Sequence, residues 1–271
     1  MTGAAGEVDK ALDRLRGHRP WSNKQLRRLG DAIRAASDPP DGCPTYGTVL
    51  EWYDDLAVSV QTIITSLDWE PLLHGALPSV TSRAKTIGTL RDKLLRMPEY
   101  PLQSIQDVAG IRFEAEMSLA QQDTVVGTLV GVLGQEPSCV ADLRTDPHSG
   151  YRAVHLRLVF PAGRAELQVR THLQGEWANM YESLGDLLGR SIRYGDMPDD
   201  DQWRGVVSDL QRRSTVRASR IEQLRNDLQV ARLAGSDPAL LDELEREERA
   251  LEEDYTREMK ALERTFREMR A

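Results

Sequence analysis

Four short stretches of this chain place cations, carboxylates and an aromatic ring where chemistry needs them. Ser82 to Arg96 carries Arg83, Lys85, Arg91, Lys93 and Arg96 against the single acid Asp92. Arg83 and Lys85, two apart in non-helical sequence, point the same way. Thr89 is the expected cap of a helix that places Lys93 one to two turns further in. Cations converging near a helix N-terminus suit a polyphosphate, although a lone run of this kind is more often a solvated basic face. Asp107 and Glu166 lie at or beside strands. Converging from neighbours, they would offer hard oxygen ligands to Mg²⁺, with Mn²⁺ as the alternative and water and phosphate completing the shell. Two unrelated strand-edge acids are the commoner state of such residues.

The other two stretches, Gly150-Tyr151-Arg152-Ala153-Val154-His155 and Glu166-Leu167-Gln168-Val169-Arg170-Thr171, put polarity into β-branched sequence. Tyr151 can stack flat on a nucleobase, with Gly150 letting the backbone approach closely. His155, four residues along the same expected strand, faces the same side. A satisfied strand histidine is its other reading. Gln168 and Arg170 continue the Glu166 face at period two, and three polar residues on one face are hard to explain as core.

Positioning these groups takes a sheet flanked by helices. Residues 1–80 read as helices broken by Pro and Gly, with candidates over Trp21–Ala36 and Tyr46–Leu67. Strands are expected over Ile105–Ala115, Cys139–Leu143, Tyr151–Phe160 and Arg164–Arg170, the last two joined through Pro161-Ala162-Gly163. Helices are expected over Ser118–Leu133 and His172–Leu188. This order predicts an α/β (α+β) fold with a mixed sheet. From about Asp200 the pattern is helical, broken at Gly235-Ser236-Asp237-Pro238 into a hairpin with one apolar stripe per helix. That stripe suits packing on the body or on a second subunit. The expected division is 1–80, an N-terminal helical segment; 81–195, the sheet domain; and 196–271, the C-terminal hairpin.

The chain has 271 residues, a net charge of −8, and is 40% hydrophobic and 29% charged. An overall negative field disfavours generic binding along duplex nucleic acid but leaves room for a local basic pocket. Cys43 and Cys139 show no metal-ligand spacing. The first residues lack a signal-peptide pattern, and no apolar run approaches the roughly 20 residues a membrane helix needs, so a cytoplasmic protein without membrane contact is expected.

Taken in order, the stretches closely resemble the RelA/SpoT-type alarmone synthetases, particularly the small single-function members, over roughly residues 82–185. The resemblance implies a nucleotidyltransferase-like synthetase domain. In it Arg83, Lys85-Thr86 and Lys93 would grip the ATP phosphates. The Asp-x-x-Gly-x-Arg strand (Asp107, Gly110, Arg112) would supply a magnesium ligand and a further ATP contact. Tyr151 would stack on an acceptor guanine beside His155. Glu166, with Gln168, Arg170 and Thr171 after it, would be the second metal ligand and activator of the acceptor hydroxyl. Trp177-Ala178 matches the family's following helix, but the next recognition glutamate is replaced by Tyr181, with Glu182 one position later. The usual lysine before Gly150 is missing, and Arg144 is the nearest substitute for contacting the acceptor.

The implied activity is transfer of the β,γ-pyrophosphate of ATP to the 3′-hydroxyl of GDP or GTP, giving (p)ppGpp. Toxic relatives instead use adenine nucleotides or the 3′ CCA end of tRNA and pair with an antitoxin protein. Tyr181 and the N-terminal Arg14, Arg16, Arg19, Lys24, Arg27, Arg28 and Arg34 motivate that second reading. A third is a non-catalytic platform built on the same fold. Self-association through the C-terminal helices is expected, as relatives are often oligomeric. None of His18, His74, His148, His155 and His172 precedes an Asp, so the His-Asp hydrolase of the long members is not expected.

Overall fold

The structure is a computed structural model that describes residues 2–270. Helices α1 (Thr2–Arg16), α2 (Asn23–Ala35) and α3 (Tyr46–Thr65) and the single turn α4 (Glu70–Leu73) form the N-terminal part. Their starts are chemically marked. Ser22 and Gln25 form a reciprocal capping box, and the Thr45 side chain accepts from the Thr48 amide. The helical spacing of Val49, Leu56, Val60, Ile63 and Ile64 then buries one side of α3 against the sheet.

Five strands follow: β1 (Ser79–Ala84), β2 (Ala109–Ala115), β3 (Val140–Asp142), β4 (Val154–Phe160) and β5 (Gly163–Thr171). Their order is β1-β2-β5-β4-β3, with β2 and β5 parallel and every other pair antiparallel. The fold is therefore α+β with a mixed sheet, as the sequence predicts. The fifth strand, β1, is an addition to that prediction. Ser79, Thr81 and Arg83 on its outer side are exposed, and Val80 is its only β-branched apolar residue, so its signal is weak. The strand expected from Tyr151 begins only at Val154, and Tyr151 lies on the turn before it.

Side-chain alternation gives the sheet two unlike faces. Ile111, Phe113, Leu156, Leu158, Leu167 and Val169 are buried in one apolar cluster shared with α3 and α6 (Leu119–Val132). The intervening residues Arg112, Glu114, His155, Glu166, Gln168 and Arg170 make the opposite face polar. In register, Gly110 lies beside Glu166, and Gln168 lies between Arg112 and His155.

Helix α5 (Ile87–Arg96) links β1 to β2. Its cap is Thr86 rather than Thr89: Thr86 has extended backbone and accepts from the Thr89 amide, while Thr89 is already within the first turn. Helix α7 (His172–Leu188) follows β5, and a 3₁₀ segment (Arg190–Tyr194) leads to α8 (Asp201–Arg212). A π-helical segment, Arg213–Ala218, joins α8 to α9 (Ser219–Leu233), and α10 (Pro238–Arg270) turns back along it. The break falls as predicted, with Gly235 at φ 64° and Asp237 accepting from the Ala239 amide. The hairpin's apolar stripes pack within the chain. Val207, Leu210, Ile221, Tyr255, Met259 and Phe266 join Trp177, Tyr181 and Leu184 of α7 in a second cluster. Among the described residues no helix is long and apolar enough to cross a membrane.

Candidate active site

The polar face opens into a cavity of about 500 Å³ lined by β5, β4, α5, α7 and the Arg190–Tyr194 segment. Two arrangements face each other across it. At one side Asp107, on a short turn just before β2, is bracketed by lysines: Lys85 Nζ lies 2.9 Å from Oδ2 and Lys93 Nζ 2.7 Å from Oδ1. Lys85 follows the end of β1, fixed by the hydrogen bond its backbone N–H donates to the Val108 carbonyl, and Lys93 comes from α5 two turns beyond the Thr86 cap. A basic segment and an acid far apart in sequence thus meet because β1 and β2 are antiparallel neighbours.

At the other side five side chains form a closed ring. Gln168 Nε2 donates to Glu166 Oε2 at 2.9 Å, and Arg170 Nη2 donates to Gln168 Oε1 at 2.6 Å. Arg170 Nη2 also donates to the Tyr151 hydroxyl at 2.8 Å, which lies 2.8 Å from His155 Nε2. The ring closes where His155 Nδ1 approaches Glu166 Oε1 at 3.4 Å. Burial alone would raise the Glu166 pKa. The hydrogen bonds from His155 and Gln168, with the charges of His155 and Lys93, outweigh it and hold the carboxyl down at about 2. Glu166 is therefore an anion at neutral pH. Burial pushes the Tyr151 phenol up despite Arg170, so it stays protonated.

Asp107 and Glu166 line the same cavity and also a smaller one, of about 190 Å³, that reaches Arg83 and Arg112. Two carboxylates with no competing soft ligand fit a hard divalent cation. Among the described residues no group of three or more His, Cys, Asp or Glu side chains is placed to hold a metal, so an ion here would draw its remaining ligands from substrate and water. Arg112 pairs with Glu182 at 2.9 Å; burial and the nearby Arg170 lower its pKa, and Glu182 opposes them.

The structure brings Asp107, Glu166, Arg83, Lys85, Lys93, Arg112, Tyr151, His155, Gln168 and Arg170 to these adjoining cavities. Arg144 is not brought there. Its guanidinium is taken up by Asp142 and Asp123, each at 2.6 Å, and by Gln122 on α6. Tyr181 lines the cavity but is largely buried: its ring stacks on Trp177 at 4.7 Å, and its hydroxyl donates to the Ile192 carbonyl and accepts from Gln211.

Sequence reasoning gives Arg96 no role beyond the basic run and misses Arg190, Arg193 and Tyr194. With Arg83, Lys85, Thr86 and Thr89 they line a further cavity of about 640 Å³. Arg96 lies 3.9 Å over the Tyr194 ring, and this pair borders both that cavity and the central one. Arg96 was visible in the basic run. The Arg190–Tyr194 segment carries no signal that places it there, since its position depends on α7 ending at Gly189.

The fold is the architecture of the small alarmone synthetases. The small alarmone synthetase 2 from Bacillus subtilis matches with a TM-score of 0.52 at 21% identity, over 68% of this chain and 97% of that one. The small alarmone synthetase 1 from the same organism, bound to its product pppGpp, matches at 0.51 and 24%, over 68% and 96%. The model described as "Region found in RelA / SpoT proteins" matches residues 82–184. The uncharacterized protein Rv1366 of Mycobacterium tuberculosis is 45% identical over 192 residues, 71% of this chain and 69% of its own length. The uncharacterized protein Mb1401 of Mycobacterium bovis matches to the same extent. The chain belongs to the RelA/SpoT family. That membership supports pyrophosphokinase activity in general, in a family that normally uses a divalent metal.

Proposed function

We propose that this protein transfers the β,γ-pyrophosphate of ATP to the ribose 3′-hydroxyl of GDP or GTP, making (p)ppGpp. The observation that carries the reading is one cavity walled on one side by Lys85–Asp107–Lys93 and on the other by the Glu166–His155–Tyr151–Arg170–Gln168 ring. ATP phosphates would draw Lys85 and Lys93 from Asp107, aided by Arg83 and Arg112, and free that carboxylate for a metal ligand's role. Asp107 and Glu166 would hold a divalent cation, which would neutralise the phosphate charge. Tyr151 receives the acceptor base, and the anionic Glu166 accepts the 3′-hydroxyl's hydrogen bond. The hydroxyl oxygen attacks the β-phosphorus, its proton passes to Glu166, and the bond from the β-phosphorus to the α,β-bridging oxygen breaks. AMP leaves with that oxygen.

Incubation with ATP, Mg²⁺ and GDP or GTP tests this directly. AMP and a 3′-pyrophosphorylated guanine nucleotide should appear in equal amounts. No AMP release with any acceptor excludes the reading. Tyr181 supports a second acceptor, an adenine nucleotide or the tRNA 3′ end, because its phenol is committed to Ile192 and Gln211 where small synthetases commonly carry a base-reading glutamate. The N-terminal cations lend this little. Arg14 lies over Trp52 and pairs with Asp55, and Arg34 is spent on the carbonyls of Leu94, Pro98 and Tyr100. Label transferred from γ-³²P-ATP to tRNA rather than to GDP would favour it.

A further inference from the structure

The turn that carries Tyr151 is held from behind by the C-terminal hairpin. At Gly150, with φ at 83°, an added Cβ would fall 2.9 Å from the Trp177 ring and 3.0 Å from Gln211 Cα, so this position admits no side chain. One residue beyond Tyr151, Arg152 is buried at 4% exposure and pairs through Nη1 with Glu222 Oε2 at 2.6 Å. Glu222, on α9, is completely buried. Its other oxygen accepts from Thr171 Oγ1 at 2.6 Å and from Gln174 Nε2 at 2.8 Å. Thr171 follows Arg170, caps α7 and forms a capping box with Gln174. Gln122, which hydrogen-bonds Gln174, donates to the Val169 carbonyl and extends the network under β5.

One carboxylate therefore ties the residue after Tyr151 to the residue after Arg170, and the side chains of Tyr151 and Arg170 meet 2.8 Å apart on the cavity side. Arg152, Thr171 and Glu222 themselves do not line that cavity. A buried ion pair contributes little net stability compared with an apolar pair of the same volume. What this one fixes is geometry: two chain segments at one separation, set by two hydrogen bonds to one carboxylate oxygen and an ion pair, without hydrogen-bond alignment, at the other.

Resting on the acceptor-site reading above, we propose that Glu222 is a positioning residue for acceptor binding. The hairpin is thus a working part of the site, holding Tyr151 and Arg170 in register through Arg152 and Thr171.

The test uses the full chain with Glu222→Gln and the double variant Arg152→Met/Glu222→Met. Each is assayed for acceptor and ATP KM, for thermal stability, and by ¹⁹F NMR after 3-fluorotyrosine labelling, with Tyr151→Phe assigning the resonance. Glu222→Gln should raise the acceptor KM by about tenfold, leave the ATP KM unchanged and move the Tyr151 resonance, since sub-ångström misplacement is costly at a reacting site. The double variant should melt at or above the wild-type temperature yet keep the raised acceptor KM and displaced resonance. It also decides the matter if Glu222→Gln does not fold. A double variant with wild-type acceptor KM overturns the proposal and leaves the pair a purely structural one. If the wild type transfers no pyrophosphate, the transferase reading falls instead. The ¹⁹F signal then decides alone, and an unmoved Tyr151 resonance overturns the positioning role.

Discussion

The polar face of the sheet has two ends that carry the same kinds of residue and answer them differently. At the open end, Asp107 and Glu166 face a cavity, and the partners of Asp107 are lysines partly open to solvent that incoming phosphates can reclaim. At the other end, Glu114 projects from β2 toward α7, where Gly175 has no Cβ because Glu114 fills that space. Nearby, Arg225 of α9 is enclosed by Glu116 and by Glu248 and Glu252 of α10, and its pKa is raised because these carboxylates outweigh its burial. Polarity pointing inward from a strand is thus no site by itself. What distinguishes the ends is whether the chain supplies the counter-charge permanently, through the C-terminal hairpin, or leaves it exchangeable.

The largest effect expected from this contrast is at Glu166. Glu166→Gln keeps the shape and removes the anion, and should lower transfer by roughly 10²–10⁴-fold, the range of a positioned acid–base group. AMP release under saturating ATP and acceptor measures it, and a variant keeping a tenth of wild-type turnover would place the chemistry elsewhere. Next comes the covered end. Arg225→Met leaves three partly exposed carboxylates facing one another and should cost about 2 kcal/mol in urea unfolding, less than a fully buried pair would. Below the unfolding transition its acceptor and ATP KM should match the wild type. A loss of turnover without a loss of stability would erase the distinction between the ends.

How much of this was legible in the sequence follows from the range of the signals. Period-two alternation over Tyr151–Phe160 and Arg164–Arg170 predicts both faces of β4 and β5, because alternation is local. The pairing of Asp107 with Lys85 and Lys93 is not legible in the sequence: each has a role there, but their shared salt bridges need the antiparallel β1–β2 register. β1 itself was missed because an edge strand of Ser, Thr and Arg has little apolar pattern. Chain proximity assigns Arg144 to the acceptor, but Asp142 beside it on β3 and Gln122 and Asp123 on α6 take up its guanidinium, and only the last two are distant in sequence. The cis packing of the hairpin left open by its stripes depends on Trp177 and Tyr181 presenting a complementary surface, which no heptad reveals.

A smaller effect is expected at Tyr151, where Phe retains the ring for stacking but breaks the hydroxyl's bridge between His155 and Arg170. One neutral-to-charged hydrogen bond is worth roughly 1.5–3 kcal/mol at most when its partners stay dry. Part of that returns if water replaces the hydroxyl. Acceptor KM should therefore rise by about tenfold with ATP KM unchanged, whereas Tyr151→Ala should lose the stacking surface as well. Equal losses in the two variants would mean that the hydroxyl, not the ring, does the recognising.

The smallest effect separates the ends by pH. His172, at the start of α7, has its pKa raised chiefly by Glu114, against its partial burial and with help from Glu176 and Glu116. Both contacts are long, at 3.7 Å to Glu114 and to Glu176, and the imidazole side chain is 51% exposed. A folded-state pKa above the unfolded one favours the folded form most while the imidazole is charged. The contribution is complete below the unfolded value, about 6.5, and disappears as pH rises through the folded one. Screening at so exposed a site limits it to no more than about 0.5 kcal/mol. Glu116 and Glu176 are themselves raised, mainly by burial. Urea midpoints of the wild type should therefore fall slightly between about pH 6 and pH 8, and those of His172→Gln should fall less, because a neutral amide has no charge to lose. Parallel slopes would mean that the imidazole gains nothing from Glu114. A change in acceptor KM with His172→Gln at either pH would show that the covered end reaches the cavity after all.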